Sequence, residues 1–191
     1  MEPEAGMKAQ ARYEARVRVV KAMAHPTRMF IVDELSRSNS IIEGGRQVNY
    51  RATFEWWPLR TMRWRTRIEH VGVSGSASLE GSSGYLFFQD VRLKPSSKFS
   101  IEGRAIVFES QSYASRIYEY ESELRGTFVN PALYGNGIRS YLMATNGIGG
   151  VQLSIKYSAT IKPGLRTLSS GSAEIDGDTD NRVSAQVEVT Y

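Results

Sequence analysis

Apolar and polar residues alternate strictly at the end of the chain, over residues 182–191. Successive side chains of a β-strand point to opposite faces, so this period predicts a strand with different surroundings on its two faces. One face would carry Val183, Ala185, Val187, Val189 and Tyr191.

The same period recurs upstream, in segments separated by turn-forming residues. Turns are predicted at 57–60 and 94–97. The alternation is also interrupted by a Gly/Ser loop at 72–84 and by a polar loop at 162–181. We predict about eight strands of roughly ten residues, a length that suits a tilted strand crossing a membrane. The predicted strands are 48–56, 62–69, 85–93, 99–107, 119–129, 138–145, 151–161 and 182–191.

Alternation does not decide which solvent each face meets. In an outer-membrane barrel the apolar face contacts lipid, the polar face lines the interior, and aromatic residues lie at the interfaces. The strand lengths and the aromatic residues near strand ends favour this version. We therefore predict a mainly β protein, an antiparallel up-and-down β-barrel or part of a larger one, after a short α-helical segment. A soluble ligand-binding β-barrel or sandwich, with the apolar residues inside and the charges outside, is the alternative.

The outer-membrane interpretation assigns positions in the barrel to two sets of residues. Aromatic side chains are predicted at the membrane interfaces, and charged side chains at alternate strand positions are predicted to face the lumen. The interface set is Trp56, Trp64, Tyr85 and Tyr191. The lumen-facing set is Arg51, Glu55, Arg63, Arg65, Arg67, Glu69, Arg104, Lys156 and Glu188.

Composition argues against catalytic chemistry. The chain has no cysteine, which excludes disulfides, thiolate metal sites and a cysteine nucleophile. No His, Asp and Glu group has metal-ligand spacing, and the glycine-rich stretch 72–84 lacks the lysine of a phosphate-binding loop. Asp176, Asp178 and Asp180 resemble the start of a calcium loop, but its turn glycine and distal glutamate are missing. We predict no catalytic residues, no cofactor, no metal and no enzyme activity.

The first part of the chain follows a helical pattern instead. Val17, Val20 and Ala24 lie at helical spacing, and Pro26 suits the first turn of a second helix. Residues 11–37, above all KAMAHPTRMFIVDEL, resemble the opening of an ArsR-type winged-helix transcription regulator. The resemblance implies two helices for dimerisation and core packing. It ends before any recognition helix, so no DNA-reading residue is carried over, and a truncated DNA-binding regulator is a second alternative.

A second resemblance covers the strand-rich part. The stretches GYLFFQDVR (84–92), SYASRIYEYE (112–121) and PALYGNGIR (131–139) are similar to a family of bacterial outer-membrane proteins that end in a long β-barrel region. The resemblance implies a non-enzymatic outer-membrane barrel or C-terminal barrel fragment, structural or transport-type. Its partners would be outer-membrane lipid and the barrel-assembly machinery, with no nucleic acid and an unknown small-molecule ligand.

The predicted organisation has three parts. Residues 1–37 form a helical segment resembling a truncated ArsR-type N terminus, 38–46 a linker, and 47–191 the antiparallel β-barrel. The predicted location is the bacterial outer membrane. The first 15 residues hold no apolar run typical of a secretion signal, so the location becomes cytoplasmic if Met1 is the true start.

Overall fold

The computed structural model describes residues 36–42, 45–74, 80–168 and 174–189. The strands are β1 (Ser36–Ile42), β2 (Gly45–Leu59), β3 (Met62–Ser74), β4 (Ser82–Leu93), β5 (Phe99–Ser110), β6 (Ile117–Tyr118), β7 (Ala132–Leu133), β8 (Gly135–Ile148), β9 (Val151–Ile161), β10 (Thr167–Leu168), β11 (Ile175–Asp176) and β12 (Thr179–Val189). Seven long strands and the shorter edge strand β1 form one antiparallel sheet, ordered β1-β2-β3-β4-β5-β8-β9-β12. The predicted large antiparallel sheet is therefore confirmed.

The connections differ in length at the two ends of this sheet. At one end, here called the short-turn end, the connections are 60–61, 94–98 and 149–150. At the opposite, long-loop end, residues 111–134 lead from β5 to β8 and residues 162–178 lead from β9 to β12. Side chains fix the short turns: the Ser96 hydroxyl accepts a hydrogen bond from the Phe99 N–H at 3.1 Å.

Several predicted elements differ from the observed ones. Residues 119–129, predicted as a strand, lie outside the main sheet and contribute only an isolated bridge between Glu121 and Val129. The stretch 36–42, assigned mostly to the linker, forms β1. Strand β2 continues through Pro58, where a register irregularity between Trp56 and Leu59 accommodates the missing N–H. The helical segment predicted before residue 36 lies outside the described residues.

Residues 111–134, here called the inserted loop, fold back across one face of the sheet. The loop opens with a 3-10 turn, Tyr113–Ser115, whose Ala114 N–H is capped by the Ser112 side chain. Its two arms then pair through β6 and β7. The face that carries this loop is called the inner face, and the opposite face is called the outer face.

The inner face has an apolar zone near the long-loop end and a charged zone beyond it. The inserted loop completes the apolar zone with Ile117 and Leu133. The buried core there consists of Val71, Val73, Leu86, Phe88, Ile106, Phe108, Ile117 and Leu133. Within the described residues, no helix is long and apolar enough to span a membrane.

The sheet is open, so the prediction of a closed barrel is wrong for the described strands. Strands β1 and β12 occupy the two edges and do not pair with each other. Eight strands that close enclose a space filled by their own side chains. Here the inner face also accommodates the inserted loop, and that extra volume explains why eight strands do not close around it.

Candidate functional site

The charged zone of the inner face brings together the charged residues singled out from the sequence. Strand register places all nine on this face; Arg51, for example, lies directly opposite Glu69, and Glu55 opposite Arg65. Trp56 and Trp64, paired on neighbouring strands, lie on the outer face, as does Tyr85. Tyr191 lies outside the described residues.

Asp90 and Arg104 form the centre of the zone. Asp90 is fully buried, and Arg104 is 4% exposed. The Arg104 guanidinium donates to Asp90 at 2.9 Å and to Glu119 of the inserted loop at 2.9 Å. Arg63 and Arg65 each approach Asp90 at 3.3 Å, so one buried carboxylate serves three guanidinium groups.

The inserted loop supplies the other carboxylates of this network. Glu121 is fully buried and accepts a hydrogen bond from Arg139 at 3.0 Å. The Lys156 ammonium lies 3.5 Å from Glu121 and donates to Glu123 at 2.7 Å. Glu119, Glu121 and Glu123 alternate along the chain, so an extended backbone presents all three to the basic residues beneath them.

Smaller pairs extend the zone to its edges. Arg51 donates to Glu69 at 2.7 Å, and Arg67 donates to Glu119 at 2.7 Å. On β12, Glu188 accepts a hydrogen bond from Arg125 of the inserted loop at 3.0 Å. Each of these pairs joins different strands, or a strand and the loop, so the network ties the loop to the sheet across its width.

Phe88 marks the boundary between the apolar and charged zones. Its ring is fully buried, and the guanidinium of Arg104 lies 4.4 Å from the ring centroid. Arg67 approaches the same ring at 5.1 Å. Such cation–π contacts stabilise a desolvated guanidinium, which lets the charges adjoin the apolar core without water between them.

Glu119 and Lys162 are among the titrating groups outside the long strands whose pKa values are shifted. Burial raises the pKa of Glu119, although the nearby guanidinium groups of Arg67 and Arg104 favour its charged form. Burial lowers the pKa of Lys162, whose ammonium lies 3.8 Å from the Tyr134 ring centroid. In both cases loss of water disfavours the charged form.

The outer face has the opposite character. Its large side chains are mostly apolar, and every long strand contributes at least one that is more than 40% exposed. Examples, one from each long strand in order, are Phe54, Ile68, Phe87, Val107, Leu142, Ile155 and Val187.

Sequence reasoning identified Glu55, Glu69 and Glu188 but missed the central carboxylates of the network. Asp90 follows Leu86 and Phe88 on the same face of β4, so alternation gives no sign of a charged interior position there. Glu119 and Glu121 fell in a segment predicted as a barrel strand. The available signal was a run of three carboxylates at alternate positions, which matches the run of arginines at alternate positions in β3.

Within the described residues, the buried charges of this zone are paired with one another. In the described ranges, no group of three His, Cys, Asp or Glu side chains could hold a metal ion. Comparison with protein-family models, curated proteins and solved structures gives no match. Both family resemblances therefore stay predictions.

Proposed function

We propose that this sheet is part of the wall of a non-enzymatic β-barrel in the bacterial outer membrane, structural or transport-type. The observation that carries the proposal is the polarity of the sheet. Charges such as Asp90 and Arg104 are buried on the inner face, whereas large apolar side chains such as Leu142 are 56% exposed on the outer face. Lipid is the solvent that makes this distribution favourable.

The extent of the outer face supports a lipid environment. Soluble monomers rarely expose a contiguous apolar patch larger than a few hundred Å². Here the apolar residues recur on every long strand from β2 to β12, as the seven examples above illustrate. A soluble ligand-binding barrel predicts the reverse polarity, with these residues packed inside.

Aromatic residues border this apolar face. Tyr50, His70 and Tyr85 lie side by side on three neighbouring strands, with ring centroids 6.2 Å and 4.6 Å apart. Trp56 and Trp64 pair towards the short-turn end, 6.4 Å apart. Roughly six residues separate the two groups along a strand, or ~20 Å at about 3.3 Å per residue. Barrels carry aromatic girdles on both sides of an apolar band of about 25 Å.

The two unequal ends of the sheet agree with the same assignment. Outer-membrane barrels have short turns on the periplasmic side and longer loops on the external side. The described sheet has turns such as 149–150 at one end and the inserted loop, 111–134, at the other. In a barrel the inserted loop would occupy the lumen. The DNA-binding alternative depends on residues before 36, which lie outside the described residues.

Refolding into detergent and lipid vesicles tests the proposal. We expect heat-modifiable mobility on an unboiled denaturing gel, and quenching of single-tryptophan variants at Trp56 and Trp64 by brominated lipids. Quenching should be strongest with shallow bromines, because both rings are assigned to an interface. A protein that is monodisperse without detergent, and whose tryptophans no brominated lipid quenches, would overturn the proposal.

A further inference from the structure

Two clefts meet at the short-turn end of the inner face. The larger, of about 620 Å³, is bounded by the sheet, by the turn at 94–98 and by residues 123–125 at the tip of the inserted loop. The smaller, of about 310 Å³, is lined by Trp57 and by the turn between β2 and β3. Arg92 and Lys94 line both clefts and form the wall between them.

Basic side chains outnumber acidic ones in the lining of this double cleft. Only two carboxylates line it, and both have internal partners: Glu102 accepts from the Tyr141 hydroxyl at 3.0 Å, and Glu123 accepts from Lys156 at 2.7 Å. The six basic side chains in the lining are Arg60, Arg63, Arg92, Lys94, Lys98 and Arg125. The double cleft therefore has a surplus of positive charge.

Lys94 and Lys98 are the cations best placed to meet a solute. In the part of the chain that the structure describes, neither ammonium forms an ion pair, and both residues are exposed at the mouth. Their backbones are fixed, because the Lys94 N–H donates to Thr61 at 2.7 Å and the Lys98 carbonyl accepts from Gly147 at 2.8 Å. The backbone that carries the two charges is thus fixed at the rim.

The larger cleft also offers neutral hydrogen-bonding groups. Ser100, Thr145, Gln152 and Ser154 line it, and the last of these hydroxyls lies 3.2 Å from that of Thr145. Hydroxyl and amide side chains bind hydroxyl groups of a ligand as both donors and acceptors. A volume of about 620 Å³ is in the range typical of small-molecule sites.

We propose that this double cleft binds small organic anions that carry hydroxyl groups, of the sugar-phosphate class. The anionic group would lie between Lys94 and Lys98, and the hydroxyl groups would face the serine and glutamine side chains. The inference deepens the proposed function and rests on it only for where the solute is met, which would be the aqueous interior of the barrel.

Calorimetric titration of the refolded full chain tests this proposal with three probes. Glucose 6-phosphate should bind saturably, inorganic phosphate more weakly, and glucose without measurable heat. Binding should weaken as salt rises, because the rim lysines are exposed. Replacing both, Lys94→Gln with Lys98→Gln, should lower the affinity by roughly tenfold or more, since charge-assisted hydrogen bonds are lost.

A matched control separates the site from the overall positive charge. Arg166→Gln with Arg182→Gln removes two exposed charges outside the double cleft and should leave the affinity unchanged. Lys98→Arg keeps the charge and should keep binding. A heat-modifiable gel shift of each variant shows that it has folded.

The inference would be overturned if glucose bound as tightly as glucose 6-phosphate, if phosphate alone bound equally tightly, or if a folded double lysine variant kept the affinity of the parent. Insertion into vesicles without any anion binding rejects the inference and leaves the proposed function intact. Anion binding by a protein that does not enter vesicles supports the cleft as a site and rejects the membrane assignment alone.

Discussion

Asp90 shows how a single residue can organise the interior of this protein. Its carboxylate is fully buried and contacts the guanidinium groups of Arg63, Arg65 and Arg104. Burying a carboxylate alone is strongly unfavourable, so its charge is tolerable only because these three cations replace water around it. The converse also holds, because Arg104 depends on Asp90 and Glu119 for all its ion pairs.

Asp90→Asn should therefore destabilise the protein strongly. The change keeps the size of the side chain but leaves Arg104 with one carboxylate partner. Breaking a buried ion pair by removing one partner costs about 3–5 kcal/mol. Urea unfolding in detergent micelles measures the loss.

Glu109→Gln is the control for that substitution. Glu109 is exposed, so its neutralisation should change the free energy of unfolding by less than about 0.5 kcal/mol. Equal effects of the two substitutions would contradict the role of Asp90 as the centre of the network.

At the scale of elements, the inserted loop covers the inner face and supplies partners for its apolar and charged residues. Apolar contacts of Ile117 hold it to the core, and carboxylates such as Glu121 hold it to β8 and β9. The loop also approaches the sheet closely. A Cβ added at Gly84 of β4 would lie 2.5 Å from the Ser115 carbonyl oxygen, so only glycine leaves space for the 3-10 turn.

Gly84→Ala should displace the start of the inserted loop. The backbone atom that the new methyl group meets cannot move without shifting the 3-10 turn, and such overpacking costs about 1–3 kcal/mol. Thermal unfolding measures the effect. Gly72→Ala is the matched control, since its nearest neighbour would be 3.6 Å away; a similar loss there would contradict the explanation.

Glu121→Gln should loosen the loop while leaving the sheet intact. Arg139 loses its carboxylate partner and Lys156 keeps only Glu123, so the middle of this part of the loop is held less tightly. Hydrogen exchange should accelerate by at least roughly tenfold for residues 119–123, corresponding to about 1.4 kcal/mol of local opening. Faster exchange across β4 and β5 as well would show instead that the whole sheet depends on this carboxylate.

At the scale of the whole molecule, the two faces of one sheet differ in what they bury. The inner face buries its charges against the inserted loop, and the outer face keeps apolar groups such as Leu142 and Ile155 exposed. Exposing these apolar side chains is unfavourable in water and favourable in lipid. The cost of placing a charge on the outer face therefore depends on which of the two surrounds it.

A charge placed at the centre of the outer face distinguishes these surroundings. Leu142→Arg lies midway along β8 and should cost about 2–4 kcal/mol in a bilayer, whereas an exposed site in water changes stability by about 0.5 kcal/mol or less. Ile148→Arg, at the end of the same strand, should cost only ~0–1 kcal/mol.

Reversible unfolding from lipid vesicles measures both variants. A larger cost at Leu142 than at Ile148 agrees with a membrane whose centre lies near the middle of β8. Equal, small costs at the two positions would contradict the membrane assignment.

The predictability of the fold varied with the range of the interactions that determine it. Alternation located β5 and β9 nearly to the residue, because side-chain direction in a strand follows from neighbouring positions alone. It placed Trp56 and Arg67 on opposite faces for the same reason. It failed at 119–129, where alternating carboxylates look like a strand of the sheet but lie across it. Their partners are distant in sequence, so no local pattern identifies them.

The sequence by itself determined that most of this chain would form long antiparallel strands with one apolar and one charged face. Period-two alternation is a local property, and it survives whatever the strands later contact. Only the tertiary structure decided which face is covered, that the sheet stays open, and that the inserted loop supplies Glu119, Glu121 and Glu123 to the basic residues. Those outcomes depend on volume and charge pairing between segments far apart along the chain, which no single strand encodes.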